Sequence, residues 1–262
     1  GFDDMLIGAD GETYLVYGAE KDPLTSSLDL STLDGSNGFV MGGASGSSVS
    51  SAGDVNGDGF DDILIGAFHP RSSGEAYLVF GAASGIPASL DLSSLDGTNG
   101  FVFNKLDGRD GIGSSVSSAG DVNGDGYDDV VVGAHNYTGG QANEGRAYVF
   151  HGSGSVAGLP DADSDGLAHP SDANWLVESN LAGTQFGYSV SSAGDVNNDG
   201  FNDVIVGSAY YTNGEASEGA AFVYYGSGAG LDTTVAQRHE TDQELARGGT
   251  SVGTVGDLNG DG

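Results

Sequence analysis

The chain has 262 residues, of which 38 are acidic and only 7 are Lys or Arg, for a formal net charge of -31. That excess argues against nucleic acid and anionic membrane surfaces as partners, because both need basic patches. Cysteine is absent, which removes disulfide and thiolate-metal frameworks, and no apolar run approaches the roughly 20 residues of a membrane span, so no membrane insertion is expected in this segment. Tyr and Phe contribute 11 residues each and apolar runs recur, so the acidity is not that of a disordered chain. The 48 glycines fall at fixed places in a repeat and mark turns.

Nine residues organise the repeat. The loop D-x-N-x-D-G-[FY]-x-D occupies 54–62, 121–129 and 195–203. A fourth copy starts at Asp257, and residues 1–4 are the tail of another. The chain therefore reads as a piece of a longer protein. Successive starts at 54, 121, 195 and 257 lie 67, 74 and 62 residues apart, a period that suits one sheet of several strands.

In chain order, the apolar runs predict strands at 4–9, 11–18 and 38–41, then at 46–53, 62–67, 74–81 and 100–103. The pattern returns at 113–120, 129–134, 145–152 and 174–178, again at 187–194, 203–208, 219–226 and 234–239, and finally at 249–256. The strand before each loop is built of small residues around one valine (Val49, Val116, Val190, Val252), as a crowded inner position needs. The strand after the loop is β-branched and apolar on both faces, as expected of a strand covered on both sides. The fourth strand varies most, which fits an outer edge. No stretch reads as an amphipathic helix; Asp29 to Leu33 and Asp91 to Leu95 could each form a single turn. The expected fold is all-β: a β-propeller of four-stranded antiparallel blades, each covered by its neighbours. The expected divisions are a partial blade at 1–44, blades at 45–111, 112–185 and 186–247, and the start of another at 248–262.

The loop suggests calcium. Calcium takes six to eight oxygen ligands, and side chains at positions 1, 3 and 5 of a curled loop can converge: Asp54, Asn56 and Asp58; Asp121, Asn123 and Asp125; Asp195, Asn197 and Asp199. Position 7 can offer its carbonyl (Phe60, Tyr127, Phe201), and position 9 closes with a carboxylate (Asp62, Asp129, Asp203). Asp257, Asn259 and Asp261 supply positions 1, 3 and 5 of a partial site, and Asp4 supplies position 9 of another. Position 6 is always glycine, as a turn with positive φ requires, and position 4 is glycine or, once, Asn198. An EF-hand would need an acid at position 12, where this chain has Ile65, Val132 and Val206. Zinc and copper would want His or Cys. Position 8 (Asp3, Asp61, Asp128, Asn202) reads as solvated or supporting. A separate acidic stretch, with Asp161, Asp163, Asp165 and Asp172, could be a further calcium loop but is more simply a solvated one.

The stretch from Phe186-Gly187 through the 195–203 loop to Gly207-Ser208-Ala209 resembles an FG-GAP repeat. The matching pairs elsewhere are Ser45-Gly46, Ile112-Gly113 and Gly248-Gly249, and the proline of "GAP" is missing throughout. The resemblance covers essentially the whole chain. It implies the propeller of integrin α-subunits, typically seven-bladed, of which this chain would be a part; closure of 249–256 onto the first sheet as a four-bladed ring is the less favoured alternative. It also implies an extracellular protein with structural Ca2+ acting in cell adhesion or ligand binding. Protein or glycan ligands would sit on the loops away from the calcium loops, at 68–73, 135–144 and 210–218. A carbohydrate-binding propeller or an accessory module of a larger secreted hydrolase are the alternatives.

No catalytic constellation is visible, and the chain is expected not to be an enzyme. His151 replaces an aromatic at a repeated strand position; His69 and His135 follow the second strand without a sequence partner. Gly249-Thr-Ser-Val-Gly253 matches a nucleophile-elbow pattern but falls on an expected inner strand. Asn136-Tyr-Thr138 fits a glycosylation sequon, most simply by chance.

Overall fold

The computed structural model describes residues 2–19, 27–68, 74–83, 86–103, 110–154 and 167–260. Its strands are β1 (Met5–Ala9), β2 (Glu12–Val16), β3 (Gly38–Gly42), β4 (Ser48–Gly53), β5 (Asp62–Ala67), β6 (Glu75–Val79), β7 (Ser89–Asp91), β8 (Gly100–Phe103) and β9 (Ile112–Gly120). They continue with β10 (Asp129–Ala134), β11 (Arg146–Phe150), β12 (Leu167–Ala168), β13 (Trp175–Glu178), β14 (Phe186–Gly194), β15 (Asp203–Ser208), β16 (Ala220–Tyr224) and β17 (Gln237–Glu240). They form four sheets, ordered β1-β2-β3-β7, β4-β5-β6-β8-β12, β9-β10-β11-β13 and β14-β15-β16-β17. All pairings are antiparallel except β7 on β3 and β12 on β8. The fold is all-β and has the architecture of a partial β-propeller.

Each core lies between two sheets. Ile63 and Ile65 face Leu15, Phe39 and Met41 of the first sheet. Leu64, between them in β5, faces the other way, toward Val130, Val132 and Phe150 of the third. Val131 in turn joins Val204, Val206 and Tyr224. Strand alternation thus sends one β-branched run into two cores, which is why the strands after the loops are apolar on both faces.

The motif glycines build the seam between sheets. A Cβ on Gly66 would lie 2.2 Å from Gly113 O, on Gly133 2.2 Å from Gly187 O, and on Gly207 2.0 Å from Gly249 O. The next-to-last residue of one sheet's second strand therefore presses on the glycine at the start of the following inner segment, which is a strand at Gly113 and Gly187 and an irregular stretch at Gly249. The inner serines bond across the same seam: Ser48 Oγ accepts Val116 N at 3.1 Å and Ser115 Oγ accepts Val190 N at 3.0 Å.

Three expectations are corrected. Residues 249–256 form no strand and do not pair with β1, whose only partner among the described residues is β2. The last outer strand is 237–240 rather than 234–239, because its register is set by pairing Gln237 with Val223 and Glu240 with Ala220. β7 and β12 had no counterpart in the sequence reading: each belongs to the connection inside one sheet and returns to cover the outer edge of the sheet before it. Asp29 and Asp91 each cap a three-residue 3-10 turn, at Leu30–Thr32 and Leu92–Ser94.

Candidate metal loops and the opposite face

The three complete loops share one set of hydrogen bonds. In the first, Asp58 N donates to Asp54 Oδ1 at 3.0 Å and to Asn56 Oδ1 at 2.9 Å, and Gly59 N donates to Asp54 Oδ2 at 2.9 Å. Phe60 N donates to Asp58 Oδ1 at 2.9 Å. The second loop repeats this with Asp121, Asn123 and Asp125, and the third with Asp195, Asn197 and Asp199. Side chains 1, 3 and 5 are thereby drawn onto the loop's own backbone. The position-6 glycines have φ of 89, 90 and 93 (Gly59, Gly126, Gly200), and a Cβ on any of them would meet nothing within 4 Å. Glycine is needed there for its backbone conformation, not for space. Asn198 takes position 4 with φ 58.

Position 9 does something else. Asp62, Asp129 and Asp203 are buried. Asp62 Oδ2 accepts Val55 N at 2.9 Å and Oδ1 accepts Gly81 N at 2.9 Å. Asp129 does the same with Val122 and Gly152, and Asp203 with Val196 and Gly226. Asp4 accepts Gly18 N at 2.8 Å, the equivalent of the Gly81 bond. This carboxylate ties the loop to the end of the third strand. Burial, supported by the neighbouring Asp58 and Asp54 and opposed by the two backbone bonds, pushes Asp62 up to about 7. Asp129 is likewise pushed up to about 7, and Asp203 is raised for the same reasons.

The oxygen-only donor set suits a hard cation. Carboxylates 1, 5 and 9 are near enough to act on one another, and neither described ion pair, Arg146 with Glu178 or Arg238 with Glu240, involves them. They are not drawn to ligand spacing, however: among the described residues the one acidic trio with oxygens all within 4.8 Å is Glu218, Glu240 and Asp242. In the partial fourth loop, Asp257 Oδ1 accepts Gly260 N at 2.6 Å; Asn259 is exposed, and Asp261 lies outside the described residues. Of the separate acidic stretch, Asp161, Asp163 and Asp165 also lie outside them, while Asp172 Oδ2 accepts His169 N at 2.7 Å and so caps a short turn.

Position 8 is a link between sheets, which the sequence reading missed. Asp128 Oδ2 accepts Asp54 N at 3.0 Å from the preceding loop, and Asp128 N donates to Asp54 O at 3.2 Å. Asn202 N donates to Asp121 O at 3.0 Å in the same way. Asn202 makes this link through its backbone N–H, so the side-chain type at position 8 gave no signal of it. Position 7 also reaches back: a Cβ on Gly57 would lie 2.3 Å from the Tyr127 ring, and one on Gly124 2.5 Å from the Phe201 ring.

On the opposite face, rings run from sheet to sheet. Phe68 and His135 have centroids 4.9 Å apart, His135 and Tyr188 5.4 Å, and Tyr188 and Tyr210 6.3 Å. Arg247 lies 4.8 Å over Tyr210. Burial lowers the His135 pKa, and its Nδ1 is buried without a hydrogen-bond partner. His151 Nδ1 lies 3.1 Å from Asn123 Nδ2, beside the second loop. His69 lies outside the described residues. Among the described residues no helix is long and apolar enough to cross a membrane.

Three stretches, 45–79, 112–150 and 186–224, match the FG-GAP repeat. Each runs from an inner strand through the loop to the end of the third strand. Curated relatives are similar over most of the chain. Integrin alpha pat-2 of Caenorhabditis briggsae is 30% identical over 208 residues, 74% of this chain and 15% of that protein. Integrin alpha-5 of Xenopus laevis is 30% identical over 208 residues, 78% and 18% respectively. Integrin alpha-8 of Gallus gallus is 30% identical over 231 residues, 79% and 20% respectively. The chain thus spans a fifth or less of the length of these relatives. With the seam glycines, the repeated loops and these matches together, the chain is an FG-GAP-repeat, integrin α-like protein, with three FG-GAP repeats at 45–79, 112–150 and 186–224.

Proposed function

We propose that the chain is a segment of an extracellular, calcium-stabilised β-propeller that binds a protein ligand in cell adhesion, without catalysis of its own. The observation carrying the calcium reading is the identical curl of three loops whose acids are brought together without a counter-charge. Asp54, Asn56, Asp58 and Asp62, with the carbonyl of Phe60, would hold one ion. Asp121, Asn123, Asp125, Asp129 and Tyr127 would hold a second, and Asp195, Asn197, Asp199, Asp203 and Phe201 a third. A cation would draw these oxygens in from their present spacing and remove their mutual repulsion. Asp4, and Asp257 with Asn259 and Asp261, would belong to partial sites. The units would divide as 1–44, 45–111, 112–185, 186–247 and 248–262.

Integrin relatives and the ring-bearing face opposite the loops support the adhesion reading. Those rings press on one another, and Arg247 covers Tyr210, so their faces are not open platforms for sugars. This favours a protein ligand over a glycan. The test is thermal unfolding with and without cation. Chelation should lower the melting temperature by several degrees and Ca2+ should restore it; for a domain of this size, about 1 kcal/mol corresponds to about 2–4 °C. An identical melt in both buffers would sink the calcium reading.

A further inference from the structure

On the face opposite the loops, the third and fourth sheets carry one turn twice. Glu144 and Glu218 end these turns and both are fully buried. Glu144 Oε1 accepts Gly139 N, Gly140 N and Gln141 N at 2.8, 2.7 and 3.1 Å, and Glu218 Oε1 accepts Asn213 N. In each residue Oε2 is buried with no hydrogen-bond partner. Such an oxygen is costly to bury unless a cation stands near it.

The third sheet supplies that cation from its own strand. Arg146 Nη2 donates to Glu178 Oε2 at 2.6 Å, its Cζ lies 3.6 Å over the Tyr137 ring, and its charge reaches Glu144. In the fourth sheet the strand register puts Ala220 opposite Glu240, where the third has Arg146 opposite Glu178. Asp242 occupies the place of Asn180, with φ 51 against 55. Arg238, on β17, takes over part of the role: its Nε is 2.7 Å from Glu240 Oε1, and Nη1 donates to Tyr211 OH at 3.0 Å. Asn213 Nδ2 also donates to Glu240, at 2.9 Å to Oε2. Among the described residues no ion pair reaches Glu218 or Asp242.

We propose that Glu218, Glu240 and Asp242 bind a hard divalent cation of the calcium class, at a site separate from the loops and on the opposite face. One carboxylate oxygen from each lies within 4.8 Å of the other two. Two ligands across an ion with bonds of about 2.4 Å stand about 4.8 Å apart, so the trio already has the span of a coordination shell. Three carboxylates with no His or Cys favour calcium or manganese over zinc. Glu218 is the anchor, with a buried oxygen that has no hydrogen-bond partner among the described residues. Asp242 is exposed and opens the site to solvent, where water completes the shell. The ion ties the start of β16 to the end of β17, as Arg146 ties β11 to β13 through Glu178.

The test is the number of Ca2+ ions bound per 262-residue chain, by equilibrium dialysis, in wild type and in Asp242→Asn. Asparagine is the residue of the third sheet at this place, so the turn is kept, and circular dichroism checks the fold. The variant should lose one bound ion, or bind it at least tenfold more weakly, and Glu240→Gln should do the same. Unchanged ion number and affinity in both variants would overturn the site, as would a wild type that binds neither Ca2+ nor Mn2+. The outcome is separable from the loop reading. If the loops bind nothing, one ion should still be present and sensitive to Asp242→Asn; if only the loops bind, Asp121→Asn should remove an ion and Asp242→Asn none.

Discussion

At the scale of single residues, the aspartate at position 9 carries two duties that pull against each other. Asp129 is buried, and its two oxygens accept the N–H groups of Val122 and Gly152. Replacing it with Asn would aim an amide NH2 at one of those donors. Asp129→Asn should therefore cost about 1–3 kcal/mol in cation-free buffer, read from urea unfolding, because one buried N–H loses its acceptor; an unshifted midpoint would contradict this strut. The same burial, with Asp125 and Asp121 adding to it and the backbone bonds opposing it, pushes the group up to about 7. An unfolded aspartate titrates near about 3.9. Between these values the folded state holds more protons, so cation-free stability should fall as pH rises from about 4 to about 7. Bound Ca2+ favours the carboxylate and should abolish that fall. Urea midpoints across this range, with and without Ca2+, check the sign; a rise with pH in the cation-free protein would refute it.

At the scale of elements, the glycine seam explains which strands are legible in the sequence. The runs after the loops read correctly at both ends, as β5, β10 and β15 show, because β-branched residues bounded by an aspartate and a glycine leave little choice. Strands that exist only through a partner are not legible. β7 and β12 are short segments inside long connections, and nothing local marks them until the edge of the preceding sheet is there to pair with. The stretch at 249–256 has the inner-strand pattern and no ladder partner. The loop's ligand pattern is likewise plain in the spacing, whereas the bond from Asp128 to Asp54 spans 74 residues and depends on how two sheets meet. The seam itself is testable. Gly133 has no left-handed φ, but a Cβ there would lie 2.2 Å from Gly187 O, a backbone atom that cannot step aside. Gly133→Ala should cost about 1–3 kcal/mol by overpacking. Gly42 also lies in a strand without a left-handed φ, and a Cβ there meets nothing within 4 Å. Gly42→Ala should stay within about 0.5 kcal/mol. Equal losses in chemical denaturation would mean that propensity, not the contact between sheets, holds the glycines in place.

At the scale of the whole molecule, stability should be graded along the row of sheets. Every core is shared between two neighbours, so a sheet with a neighbour on each side is held twice and one at an end only once. β10 is buried along its whole length and β5 along all but its last residue, whereas β1 exposes Met5 and Ile7 at 57% and 39%. Beyond the fourth sheet, Val255 and Leu258 are 80% and 88% exposed. Local opening follows buried contact. Hydrogen exchange should therefore be slowest in β5 and β10, intermediate in β15, and fastest in β1, β17 and residues 249–258. Ca2+ should slow exchange at the loop amides and also at the Asp54 N–H that reaches Asp128, because an ion fixing one loop stiffens the link to the next. Uniform protection across the four sheets would show that they open as one unit, and it would remove the basis for treating each interface between sheets as a separate contribution to stability.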